Sequence, residues 1–172
     1  MLKNQNLFYK KKIFIYGLGK SGLSVFKFLK KNNKITTYDD KIKIDNKKIT
    51  KIKFDYIIIS PGININKCSL SKFLKNNSKK IHTDLDIFYD HYKKNTNIAI
   101  TGTNGKSTTA KILYDVLKDQ KVDVRLVGNI GNPVLLEKKV TSKTVFVIEA
   151  SSYQLEYSKL FKSNISLILN IS

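Results

Sequence analysis

The chain has 172 residues, 41% of them hydrophobic, with 32 basic side chains against 13 acidic ones and a formal net charge of +19. That is enough apolar material for one large domain or two small ones with a real core. The charge alone would point to nucleic acid, but Arg125 is the sole arginine and the lysines are scattered through turns and helix faces, whereas phosphate and base readers favour the bidentate arginine fork. The single cysteine, Cys68, excludes an internal disulfide, residues 1–6 lack the apolar segment of a secretory signal, and runs such as Tyr56–Ile59 are too short to span a bilayer. A soluble, cytoplasmic, monomeric protein is therefore expected.

Strand and helix signals alternate along the chain, which predicts an α/β fold with parallel sheets. A buried strand at 12–16 leads through a glycine turn into a helix over 23–31. Strands follow at 35–38 and 56–60, the latter ending at Pro61 and Gly62. A short helix at 70–76 precedes a polar, charge-rich passage at 77–95, which holds one more helix from Asp84 to about His91. A second unit then begins with a strand at 97–101 and a helix at 106–118. It continues with a strand at 122–127, a loop at 128–133 with a short helix after it, and a strand at 144–149. A helix near 153–160 and a strand at 165–170 complete it. Ligands of open α/β sheets sit beyond the carboxyl ends of the strands. Gly17, Asp39, Ser60, Gly102, Gly128 and Glu149 all fall at such ends.

Two turns carry chemistry. Residues 97–109 read NIAITGTNGKSTT, a short apolar strand, a glycine-bearing turn and a helix opened by Lys106 and Ser107. Such a turn aims backbone N–H groups at phosphate oxygens, and the helix N-terminus adds partial positive charge. Lys106 can reach the β- and γ-phosphates, and the Ser107 hydroxyl can ligate Mg²⁺. The spacing departs from the general G-x-x-x-x-G-K-[ST] loop, which needs glycine where Ile100 stands; Gly102 comes two residues later. Glu149, after a buried Val-Phe-Val-Ile run, suits a second Mg²⁺ ligand.

The other turn, Gly17-Leu-Gly-Lys-Ser-Gly22, matches G-x-G-x-x-G, with Asp39 and Asp40 about 20 residues on. Alone it fits an NAD-binding oxidoreductase, but a UDP-linked ligand offers the same diphosphate and nucleoside, and the glycines also permit tight strand–helix packing. His82, Asp84, Asp86, Asp90 and His91 have metal-ligand chemistry without a metal-ligand spacing. Thr83 with Asp86 reads more simply as a helix cap.

The string Ile100-Thr-Gly-Thr-Asn-Gly-Lys-Ser-Thr-Thr109 resembles the ATP loop of the Mur ligase family. The segments Gly17-Leu-Gly-Lys-Ser-Gly-Leu-Ser24, Ser60-Pro-Gly-Ile63, Gly128-Asn-Ile-Gly-Asn-Pro133 and Glu149-Ala-Ser-Ser-Tyr-Gln-Leu-Glu156 extend the resemblance over the whole chain. It implies a Rossmann-like UDP-binding domain at 1–93, followed at 94–172 by an incomplete P-loop parallel-sheet ATPase domain. The activity implied is ATP- and Mg²⁺-dependent amide formation between UDP-N-acetylmuramoyl-L-alanine and D-glutamate through an acyl phosphate, in peptidoglycan precursor synthesis.

By matching position, Gly102, Thr103, Asn104, Gly105, Lys106, Ser107 and Thr108 would form the ATP site. Lys106 and Glu149 would be catalytic, and Ser107 and Glu149 would hold the metal. Lys20, Ser21, Asp39 and Asp40 would face the uridine diphosphate, with Ser60, Pro61 and Gly62 closing that pocket. Asn129, Ser151 and Gln154 would touch the sugar–alanine part or the metal's surroundings. Family members often carry Thr-Arg where this chain has Asp40 and Lys41. The family also continues well beyond this length, with a His/Asp segment just past the position of Asn170, a metal-holding lysine and a C-terminal domain. The 172-residue chain alone is therefore expected to be inactive in ligation. The alternatives are an NAD-linked oxidoreductase, which leaves Lys106 and Ser107 without a role, and a non-catalytic UDP-sugar binding module.

Overall fold

The computed structural model describes residues 6–42 and 48–171. Short strands of two to six residues set its plan. Strand β1 (Lys12–Tyr16) is flanked by β2 (Lys34–Tyr38) and β3 (Tyr56–Ile59), and β4 (Ile81–His82) extends the edge, giving the parallel order β2-β1-β3-β4. The register pairs Lys12 with Lys34 and Ile13 with Tyr56. Strands with consecutive buried residues, such as Phe14, Ile15 and Tyr16, suit a sheet covered on both faces.

A second parallel sheet has the order β6-β7-β5-β8, built from β5 (Thr96–Thr101), β6 (Val124–Gly128), β7 (Val145–Glu149) and β8 (Ile165–Ile168). Helices α1 (Lys20–Leu29), α2 (Ser71–Asn76), α3 (Asp84–Tyr92), α4 (Lys106–Asp119) and α5 (Ser152–Tyr157) connect the strands. Strand β8 pairs with β5 on one side only and leaves Ile165 and Ile168 exposed. Among the described residues, no helix is long and apolar enough to cross a membrane.

The α/β class with parallel sheets expected from the sequence is what forms, and most strands fall within two residues of their expected places. Four expectations change. Helix α1 starts at Lys20, directly on the glycine turn, and Leu23 faces solvent. No helix follows Pro133, where the chain makes only a turn at Val134 and Leu135, both buried under the second sheet. The last helix is shorter, ending at Tyr157, and β4 had no sequence signal of its own.

The largest correction concerns the passage expected to be polar at 77–95. Residues 81–88 are all buried. Leu85, Ile87 and Phe88 of α3 share one apolar cluster with Ile13, Ile15 and Val25 of the first sheet layer and with Val127, Phe146 and Ile148 of the second. Phe88 stands edge-on to Phe146 at 4.9 Å. Helix α3 is thus a wedge between the two sheets, and its buried acids, Asp84 and Asp86, are tolerated because they sit in its first turn and accept hydrogen bonds. Tyr92 ends α3 and Thr96 begins β5, so a division at 93–94 falls in the link between sheets, while the core runs across it.

Candidate functional site

The glycine turn between β5 and α4 is shaped by two left-handed residues, Gly102 at φ 144° and Gly105 at φ 79°. Gly105 is the N-cap of α4, in a conformation that a side chain would strain. The first N–H groups of α4 have no intrahelical acceptor and point with the helix dipole out of the turn. Lys106 folds over the turn, its Nζ donating to the carbonyl of Gly102 at 2.6 Å and to that of Thr103 at 2.9 Å. The Ser107 hydroxyl donates to Glu149 Oε2 at 2.8 Å. Glu149 is 4% exposed, and no lysine or arginine pairs with it among the described residues.

A hydroxyl and a carboxylate oxygen in contact, beside a turn of N–H donors, form a hard-oxygen pair that suits a divalent cation such as Mg²⁺. No cluster of three His, Cys, Asp or Glu side chains occurs among the described residues, so this pair would leave most coordination positions to phosphate oxygens and water.

A cavity of about 700 Å³ opens in front of the turn, between Gly102, Thr103 and Lys106 on one wall and Asn129, Ser151 and Tyr153 on the other. A second cavity, of about 500 Å³, lies beyond the carboxyl ends of the first sheet. It gathers Lys20, Ser21, Asp39, Asp40, Ser60, Pro61 and Gly62 from one side with Gly128 and Asn129 from the other. Asn129 lines both cavities. Of the residues carried over by resemblance, the structure brings all but Gln154 and Glu149 to one of two adjoining hollows or to the β5–α4 turn and the start of α4, and Glu149 lies buried against Ser107.

Within the second cavity the two acids behave differently. Asp39 closes the glycine turn, accepting the Leu18 N–H at 2.6 Å and the Lys41 N–H at 3.0 Å. These backbone donors, the Leu18 one foremost, hold its carboxyl below the usual range. Asp40 is pinned by Tyr16, whose hydroxyl donates at 2.7 Å, and by the Ser69 hydroxyl at 2.5 Å. Burial raises the Tyr16 hydroxyl, with the Asp40 contact adding to it, so the phenol stays protonated as the donor. No motif pointed to Tyr16 or Ser69; only the position of Tyr16 at the end of β1 hints at it. Gly22 has the packing role weighed for it, since a Cβ there would lie 1.8 Å from the Gly17 carbonyl oxygen.

Gln154 is displaced from the expected substrate surface. It is 1% exposed, donates from Nε2 to Asp84 Oδ1 at 3.0 Å, and accepts the Ser151 N–H at 3.1 Å. Its amide is consumed in joining α5 to α3. Burial raises the Asp84 carboxyl.

Asp86 completes that joint. Its Oδ2 meets His82 Nδ1 at 2.9 Å and the Thr83 N–H at 3.2 Å, the latter one half of the cap read from the sequence. Its Oδ1 accepts the Ser158 hydroxyl at 2.5 Å and the N–H groups of Lys159, Leu160 and Phe161 at 2.7 to 3.1 Å. Burial pushes this carboxyl up, but the bonds from His82, Ser158 and Leu160 outweigh it and hold the group below its ordinary value. The acidic cluster is thus a structural clasp.

The lysines are less scattered than the sequence implies. Lys10, Lys11, Lys12, Lys31, Lys34 and Lys53 surround a cleft of about 770 Å³ at the amino ends of β1 and β2, away from both cavities.

Comparison with known proteins bears on this geometry. Residues 100–172 match the Mur ligase middle domain. The chain is 37% identical over 95% of its length to a UDP-N-acetylmuramoylalanine--D-glutamate ligase of Rickettsia bellii, and 35% identical over 99% of its length to one of Wolbachia pipientis. It spans 39% and 35% of those relatives, so about two fifths of the length of the curated proteins it matches. The fold is similar to the crystal structure of a Neisseria UDP-N-acetylmuramate:L-alanyl-gamma-D-glutamyl-meso-diaminopimelate ligase, with a TM-score of 0.55 at 14% identity over 95% of this chain and 61% of that one. The parallel sheets, the displaced-glycine turn with Lys106 and Ser107, and this agreement along nearly all of its length make the chain similar to members of the Mur ligase family, whose middle domain matches residues 100–172.

Proposed function

We propose that the chain holds the two phosphate-bearing substrates of an ATP-dependent ligase acting in the cytoplasm, which joins D-glutamate to UDP-N-acetylmuramoyl-L-alanine during peptidoglycan precursor synthesis. Residues 1–93 carry the UDP end in the 500 Å³ cavity, and residues 94–172 carry Mg-ATP at the turn. The observation that carries this reading is the 2.8 Å contact of Ser107 with the buried Glu149, which pairs with no lysine or arginine among the described residues, at a turn that also presents Lys106.

In the reaction, an oxygen of the L-alanyl carboxylate attacks the γ-phosphorus and ADP leaves. The amine of D-glutamate then attacks the acyl phosphate carbon, inorganic phosphate departs, and an amide remains. The first step needs positioning and charge neutralisation more than covalent help from the protein. Lys106 and the N–H groups at the start of α4 offset the charge gathering on the transferred phosphoryl group. Ser107 and Glu149 would hold the Mg²⁺, which would supply charge neutralisation at the phosphates. Asn129, common to both cavities, lies where the two substrates meet, and Ser151 faces the same space.

Titration calorimetry of the chain with ATP tests this. Saturable 1:1 binding that disappears with a chelator is expected, and Lys106→Ala should weaken it at least about tenfold by removing a charge-assisted contact. Binding that is indifferent to both Mg²⁺ and Lys106 would overturn the assignment.

A further inference from the structure

The nucleotide turn is held from a direction no motif announces. Asn170, just past β8, directs its carboxamide oxygen at two successive backbone groups, the Thr103 N–H at 3.0 Å and the Asn104 N–H at 2.8 Å. Its Nδ2 donates to the Asn104 carbonyl at 3.1 Å. The opposite ends of the same peptide groups are also taken: the carbonyls of Gly102 and Thr103 accept the two hydrogen bonds from Lys106 Nζ.

An amide N–H and its C=O point in opposite directions across the planar peptide, so fixing one fixes the other. The Gly102–Thr103 and Thr103–Asn104 peptides are thus bracketed, with Asn170 on their N–H side and Lys106 on their C=O side. Gly102 keeps the approach open, since a Cβ there would lie 3.2 Å from the Asn170 backbone.

We propose that Asn170 is a positioning residue for Lys106. By anchoring two N–H groups of the turn it orients the carbonyls that seat the ammonium, and it withdraws those N–H groups from phosphate. An ammonium has three donors; with two on the turn, one remains for a phosphate oxygen. The phosphate contacts then fall to that donor and to the N–H groups that open α4. This assignment rests on the reading of the turn as an ATP site.

A double-mutant cycle tests it. The Mg-ATP affinity of the 172-residue chain is measured by calorimetry for the native sequence, Asn170→Ala, Lys106→Ala and the pair. Asn170→Ala is expected to weaken binding roughly tenfold, in line with losing about one well-made hydrogen bond's worth of organisation. In the Lys106→Ala background the same change should cost less than about twofold, because the two residues act through the same peptides.

Asn170 is exposed, so its truncation should leave the melting temperature unchanged. Equal losses in both backgrounds, or native affinity in Asn170→Ala, would sink the proposal while leaving the ATP site intact. Absence of Mg-ATP binding by the native chain would instead remove the ATP reading and this assignment together. Amide exchange in the nucleotide-free chain gives an independent reading. The Asn104 N–H should exchange faster in Asn170→Ala, and an unchanged rate contradicts the bracket.

Discussion

Glu149 and Asp86 are both buried carboxylates, yet they are satisfied in opposite ways, and that difference separates a site from a joint. Glu149 has one side-chain donor among the described residues, the hydroxyl of Ser107. Asp86 has a histidine, a hydroxyl and four backbone N–H groups. Removing the first should change binding more than stability: Glu149→Gln is expected to weaken Mg-ATP at least about tenfold at moderate Mg²⁺ by removing the charge from a hard-oxygen ligand, with excess Mg²⁺ restoring part of the loss. Removing the second should change stability. Asp86→Ala leaves several buried donors unpaired and is expected to cost about 3 kcal/mol in urea unfolding.

The pH dependence follows from the direction of the Asp86 shift. Its folded value lies below the ordinary 3.8, so its contribution is complete above that pH and fades as the pH falls through the lower folded value. The stability gap between native chain and Asp86→Ala should accordingly shrink as the pH falls below about 3.8. At this scale Lys106, Ser107 and Glu149 were legible because residue type, strand end and helix start coincide in one short string. Gln154, Tyr16, Ser69 and Asn170 were not, since each acts through partners 24 to 70 positions away or through backbone groups.

Helix α3 is the element the sequence disguised. Its acids read as a helix cap within a polar passage, while Leu85, Ile87 and Phe88 actually close the core between the sheets. The N-terminal acids could be buried because hydrogen bonds from Gln154 and from residues 158–161 reach them, and such long-range partners leave no local trace. Phe88→Ala should cost about 3 to 5 kcal/mol, and near-ultraviolet dichroism should report loosening on both sides of the helix, through Tyr56 and Tyr92 alike. The turn after Pro133 is the reverse case. A helix was expected there, but Val134 and Leu135 bury themselves without one, since two adjacent apolar residues need only a single turn to reach the core.

At the scale of the molecule, two parallel sheets share one core, and their ligand-facing ends meet around Asn129. Shared burial of this kind predicts a single cooperative unfolding transition, with fluorescence and dichroism midpoints coinciding. The class and the chain positions of every strand but β4 were readable from alternation and glycine punctuation. The merging of the two halves was not, because which apolar face meets which is decided by tertiary packing.

The central claim is that the first glycine turn serves a UDP-linked substrate adjoining a nucleotide turn, and not a nicotinamide dinucleotide. Calorimetric titration of the chain with UDP-N-acetylmuramoyl-L-alanine and, separately, with NAD tests it most directly. The account predicts 1:1 binding of the UDP compound, weakened by Asp39→Ala, and no heat from NAD; saturable NAD binding with no response to the UDP compound would contradict it.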